Sequence, residues 1–154
     1  MAGRIVVGVD GSEAGHAALR WAADVARFRE AKLEVVHAWV FIPPAPVAEP
    51  GLVAMPAGDL VEELEIARNA DEAVLDEALQ QVDVGSLDVE PQLLEGSAGE
   101  VLVAAAEGAD LLVVGSHGHS VVGAALLGSV SRHVEKHASC EVMIIRPVRQ
   151  GEPD

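Results

Sequence analysis

The chain has 154 residues, half of them hydrophobic but with only two Phe, two Trp and no Tyr, so one domain with an aliphatic core is expected. Its 25 acidic against 10 basic residues give a formal charge of -15, a surface that repels phosphate backbones and anionic lipid and argues against nucleic-acid and membrane partners. A single cysteine, Cys140, leaves no internal disulfide, no apolar run approaches the ~20 residues of a membrane span, and no signal-peptide pattern opens the sequence, so a cytoplasmic protein is the expectation.

Arg4 to Asp10 is a β-branched run that predicts a first strand, buried on both faces and ending in a carboxylate. Gly11 and Ser12 break it, and Ser12 is placed to cap a helix from about Glu13 to Arg29. Along that helix Ala14, Ala18, Trp21, Val25 and Phe28 recur at spacings of four, three, four and three, which predicts one apolar face. Leu33 to Val40 is the second strand, a largely apolar run containing His37. Phe41 to Gly58 holds five of the eight prolines and two glycines, so neither a helix nor a central strand runs through it. It reads either as a flexible connection or as a flap beside a ligand.

Asp59, with Glu62 completing a capping-box-like pair, opens the longest helix. Ala67, Ala70, Val74, Ala78 and Val82 predict its buried stripe, and Glu62, Glu63, Glu65, Asp71, Glu72, Asp76 and Glu77 a solvated acidic face. Leu87 to Leu94 is the third strand, which Pro91 confines to an edge. Ser97 and Glu100 form a second capping box before a short helix carrying Val101, Leu102, Ala105 and Ala106. Asp110 to Val114 is the fourth strand, a helix follows Ser129, and Glu141 to Ile145 is the fifth strand, stopped by Arg146-Pro147. The domain is read as residues 1–148, with a polar tail over 149–154. Strands alternating with helices imply a parallel sheet covered on both faces, with a ligand outside the carboxyl ends of the strands where strand order reverses. Asp10 and Gly115 end the first and fourth strands, so the switch point is placed between them, which favours a ligand role for Asp10 over a turn-capping one.

The stretch from Gly115 to Ser131 carries the spacing G-x2-G-x9-G-S on Gly115, Gly118, Gly128 and Ser129. Gly115 and Gly118 allow backbone amides close to a ligand and permit positive φ. Gly128, Ser129 and Ser131 open an amphipathic segment, Val130 to His137, with amides, hydroxyls and the positive end of a helix dipole, which suits a phosphate better than turn residues alone would require. The stretch holds no Lys, which removes a P-loop, and position 116 is Ser116, which removes a His-x-Gly-His nucleotidyltransferase signature. His133 and His137 at i and i+4, with His117 and His119, resemble ligand spacing, but no cysteine or carboxylate completes a set, so no metal site is expected. Cys140 reads as a small buried hydrophobe. No activated Ser, Cys or Lys forms a catalytic set, so at most slow hydrolysis of a bound phosphate ligand is expected.

On these residues, with an Asp closing the first strand, His37-Ala38 closing the second and Leu127-Gly-Ser-Val-Ser131 opening the last helix, the chain resembles the nucleotide-binding branch of the universal stress protein family. The resemblance covers nearly the whole chain and implies a Rossmann-like domain of the adenine nucleotide alpha hydrolase-like type, its five parallel strands ordered 3-2-1-4-5. It implies ATP as ligand, with Mg2+ on the phosphates. Asp10 and the backbone of Gly8 and Val9 would face the adenosine, and the backbone of Ala38 the adenine edge. Val114, Gly115, Gly118, Gly128, Ser129, Val130 and Ser131 would line the ribose and phosphates. His117 stands where the family often has Arg, and Gly118-His119 replaces a Gly-Leu step. An ordinary imidazole gains charge below about pH 6.5, so nucleotide affinity is expected to rise on mild acidification. A homodimer through Val142 to Ile145 and a stress-response or regulatory role are implied. Cyclic AMP, or a nucleotide-independent protein-interaction role, are the alternatives.

Overall fold

A computed structural model describes residues 3–43, 57–119 and 127–147. The proline-rich connection expected over 41–58 falls mostly outside these residues, and the tail over 149–154 falls wholly outside them. Strands β1 (Arg4–Gly8), β2 (Lys32–Trp39), β3 (Val89–Glu95), β4 (Leu111–Gly115) and β5 (Glu141–Ile145) alternate with helices α1 (Glu13–Arg29), α2 (Ala57–Gln81), α3 (Ala98–Ala105) and α4 (Ser129–His137). The five strands pair in parallel in the order β3-β2-β1-β4-β5, with Val7 opposite both Val35 and Val113.

Strand alternation divides the core into two layers. Ile5, Val7, Leu33, Val35, Leu111 and Val113 face one way and are covered by Ala18, Ala22 and Ala26 of α1 with Leu75, Ala78 and Val82 from the α2 side. Val6, Val36, Leu112 and Val114 face the other way and are covered by Leu102 of α3 and Val134 of α4. Pro91 lies on β3 opposite Val35, at the sheet edge where a missing N–H breaks no inner ladder.

Several elements differ from the sequence expectation. Strand β1 ends at Gly8, because Val9 and Asp10 already turn toward α1, although the Val9 amide still donates to the Val36 carbonyl at 2.9 Å. The buried face of α1 is Ala14, Ala18 and Ala22 with Gly15, Leu19, Ala23 and Ala26, whereas Trp21 and Val25 flank it half-buried and Phe28 is 89% exposed. The helix lies so close to β4 that only small side chains fit between: a Cβ on Gly115 would fall 2.7 Å from the carbonyl carbon of Ala14.

Helix α2 starts at Ala57, ahead of Asp59, which places Asp59 in the first turn, where it favours the positive helix end. Its buried residues are Leu75 and Ala78, with Val82 just beyond its end, while Ala70 is exposed and Asp71 leaves the acidic solvated face to become half-buried. Ser97 occupies the N-cap of α3 but makes no side-chain capping bond, so the second capping box is not formed. At the opposite end of the sheet, Arg4 bonds Glu34 at 2.8 Å, the Ala105 carbonyl at 3.0 Å and the Glu107 carbonyl at 2.5 Å, a cation set against the last carbonyls of α3.

Candidate functional site

Where β1 gives way to α1, the chain turns through Gly11 at φ +83, a left-handed conformation that glycine adopts without strain. Ser12 caps α1, its hydroxyl oxygen accepting from the Gly15 amide at 3.1 Å. The same hydroxyl donates to Asp10 Oδ1, which also accepts from the Ser12 amide at 3.0 Å. One oxygen of Asp10 therefore performs the turn-capping role. The other, Oδ2, lies against Gly118, where a Cβ would come within 2.6 Å of it. The Asp10 carbonyl accepts from His119 Nε2 at 2.7 Å, which ties the segment after β4 to the turn after β1.

On the other side, β2 presents buried His37, with Nδ1 2.7 Å from the Val9 carbonyl and Nε2 2.7 Å from Asp71 Oδ1 on α2. Ala38 follows at the strand end, opposite Leu94 of β3.

The exit of β4 is held by its backbone. The Ser116 amide extends the ladder to Ile145 at 2.8 Å, and its carbonyl accepts from the Gly128 amide at 2.7 Å. Ser131 is 1% exposed and donates its hydroxyl to the carbonyls of Ser116 at 3.1 Å and Gly128 at 2.9 Å. A hydroxyl carries one proton, so Ser131 fastens the start of α4 to the end of β4 and its expected donor role toward a ligand falls away. Gly128 is the N-cap of α4, and its carbonyl accepts from the Arg132 amide at 3.1 Å. The amides of Ser129, Val130 and Ser131 precede that bond and have no partner within the helix, and no acidic residue occupies this first turn.

The glycines also work differently from the expectation. Among the described residues the left-handed glycines are Gly11, Gly85, Gly96 and Gly108, so Gly115, Gly118 and Gly128 take no positive φ. Gly115 is required by the approach of Ala14, and Gly128 stands close to the His117 backbone, whose Cα would lie 3.1 Å from an added Cβ.

These exits enclose one cavity of about 190 Å³. Gly8, Val9 and Asp10 reach it from β1, Ala38 from β2, Val114, Gly115, His117 and Gly118 from β4, and Gly128, Ser129, Val130 and Ser131 from α4. Every residue expected at the site from the sequence therefore lines the same space. Ser12, Gly15, Val36, His37, Ala98 and Leu102 line it too and were not expected. A signal existed for His37, the imidazole beside the expected adenine-reading position. None existed for Leu102, whose methyl groups fill the space that a Cβ on Gly8 would take, with Cδ1 at 2.7 Å. None of the described lining residues is Lys or Arg, so an anion here would meet amides, hydroxyls and His117, whose Nδ1 is 2.9 Å from the Ser116 hydroxyl.

Other candidate groups stand apart from the cavity. His133 and His137 pack ring against ring at 4.5 Å, with His133 against Gly99 of α3. Among the described residues no group of three His, Cys, Asp or Glu is placed to hold a metal ion. Burial pushes the Cys140 thiol above its ordinary range. Among the described residues no helix is long and apolar enough to cross a membrane.

Residues 1–146 match the profile described as the Universal stress protein family. A universal stress protein of Mycobacterium tuberculosis is 36% identical over 153 residues, covering 92% of this chain and 46% of that protein. The chain thus spans about half the length of the curated relatives it matches. Among solved structures, the universal stress protein UspA of Lactobacillus plantarum superposes with TM-score 0.72 at 25% identity, over 94% of this chain and 97% of that one. A universal stress protein in complex with cAMP superposes with TM-score 0.65 at 29% identity, over 96% and 98% of the two chains.

Proposed function

Because the chain belongs to the universal stress protein family, we propose that it binds ATP in the cavity between the ends of β1 and β4 and acts as a cytoplasmic, homodimeric stress-response protein. The convergence of Gly8, Val9, Asp10, Ala38 and both ends of the glycine stretch on that one cavity carries this reading. An open parallel sheet binds ligands where strand order reverses, and here β1 lies between β2 and β4, so the reversal falls at the cavity. The first-turn amides of Ser129 and Val130, which have no partner within the helix, the Ser129 hydroxyl and His117 form the phosphate side. The backbone at Val9 and Ala38 forms the adenine side.

Magnesium keeps several waters and is held mainly by phosphate oxygens, so it needs few protein ligands. Asp10, with Oδ2 toward Gly118, is the carboxylate that fits beside it. The same adenine and ribose contacts serve a cyclic nucleotide, and the similar solved structure that holds cAMP favours that second reading.

Calorimetric titration with ATP, AMP and cyclic AMP, with and without magnesium, tests the proposal. Ser129→Glu is the matched variant: a carboxylate in the first turn suits the helix but opposes a phosphate. Saturable ATP binding that weakens about tenfold or more in Ser129→Glu, at unchanged melting temperature, supports the phosphate site. Tighter binding of cyclic AMP keeps the cavity and changes the ligand. Absence of binding by all three overturns the nucleotide reading in favour of a protein-interaction role.

A further inference from the structure

His37 is 7% exposed and sits between two groups that only accept hydrogen bonds: the Val9 carbonyl at Nδ1 and the Asp71 carboxylate at Nε2, each at 2.7 Å. Both bonds can be made together only if two protons are present, one on Nδ1 and one in the bridge between Nε2 and Oδ1. The Val9 peptide unit is consequently fixed at both its polar atoms, its amide to Val36 and its carbonyl to His37. The next carbonyl, that of Asp10, takes its bond from His119. Two imidazoles, one from each neighbouring strand exit, thus hold consecutive carbonyls of the turn that forms the cavity wall.

Asp71 also marks a boundary in α2. Leu75, Ala78 and Val82 beyond it are buried in the core, whereas no side chain described from 58 to 70 is buried, and Val61 and Ile66 are 57% and 62% exposed. The polar tie to His37 therefore falls where the helix leaves its apolar footing.

We propose that Asp71 and His37 are positioning residues that join α2 to the adenine side of the cavity, so that nucleotide binding and docking of the helix reinforce each other. This rests on the reading of the cavity as an adenine-nucleotide site. Of the charged groups on elements around His37, Asp71 from α2 is its bonded partner, β1 contributes the Val9 carbonyl with Asp10 already engaged by Ser12, and β3 places Leu93 opposite.

Asp71→Ala and Asp71→Asn separate the roles. In the wild type, each ring nitrogen of His37 gives a 15N–1H correlation while the bridge is intact, and adding ATP slows amide exchange along 61–71. Asp71→Ala abolishes that slowing and weakens ATP binding about tenfold, the scale of losing one charge-assisted hydrogen bond at a buried partner. An Asn side chain can donate to a neutral Nε2, so Asp71→Asn retains affinity within about twofold and loses the Nε2 correlation. Equal affinity and equal exchange in wild type and Asp71→Ala overturn the coupling while leaving the nucleotide site standing. A wild type that binds no adenine nucleotide overturns the site itself and the coupling with it.

Discussion

At Gly115 a hydrogen stands where any other residue would bring a carbon within 2.7 Å of the Ala14 backbone, and backbone cannot move aside as a side-chain tip can. Gly115→Ala is therefore expected to lower stability by about 2 kcal/mol, in the range of overpacked cores, seen as a lower urea midpoint with or without nucleotide. A null binding result from a bulkier residue there would report on folding rather than on phosphate recognition. His117 lines the cavity on the proposed phosphate side, and His37 is bonded to the Val9 carbonyl on the proposed adenine side. His117→Gln and Asp71→Ala are therefore expected to weaken ATP binding independently, and calorimetric titration of the double variant, with losses that add, checks this. Cys140, whose thiol is pushed up by burial, is expected to react more slowly with a disulfide reagent in the folded protein than after denaturation. Equal rates would mean that its shielding is lost in solution.

Among the elements, α1 shows what periodicity conveys and what it omits. Its limits and its Ser12 cap were legible, since a hydroxyl before an apolar repeat has few other uses there. The choice of buried face was not, because the larger Trp21, Val25 and Phe28 suggest the core while the close approach to β4 at Ala14 favours a face of Ala and Gly with Leu19. Ser12→Ala removes the cap and is expected to cost about 1 kcal/mol. It also frees Asp10 Oδ1 from its hydroxyl partner, so a change in nucleotide affinity beyond the stability loss would show that the cap orients the carboxylate. In α2 the acidic pattern placed Asp71 among solvated residues, and only the position of β2 beneath it turned that carboxylate into a partner for His37.

For the whole molecule, the formal charge of -15 opposes an anionic ligand at long range while amides hold it at short range. Moderate salt is thus expected to strengthen ATP binding by screening the repulsion, where weakening would place most of the affinity in exposed charge contacts. Strand β5 ends the sheet, and its Met143 is 38% exposed. An apolar edge of this kind favours a second copy as cover. Light scattering is expected to give twice the 16.0 kDa chain mass, falling to the monomer in Met143→Glu. A monomeric wild type would remove the dimer from the proposal.

The sequence by itself determined the alternation of strands and helices, the parallel sheet, the edge position of Pro91 and the meeting of Asp10 with the glycine stretch at the switch point, because those follow from local periodicity and from where glycine, proline and capping residues can stand, whereas Gly8, Val9 and Ala38 were implied by the family resemblance. Tertiary structure alone decided which side of α1 is buried, that the Ser131 hydroxyl fastens backbone, that Gly115 serves packing, and that Asp71 meets His37. Each of these depends on a distance between segments far apart in the chain. Such distances are set by how closely helices settle on the sheet, which no single segment encodes.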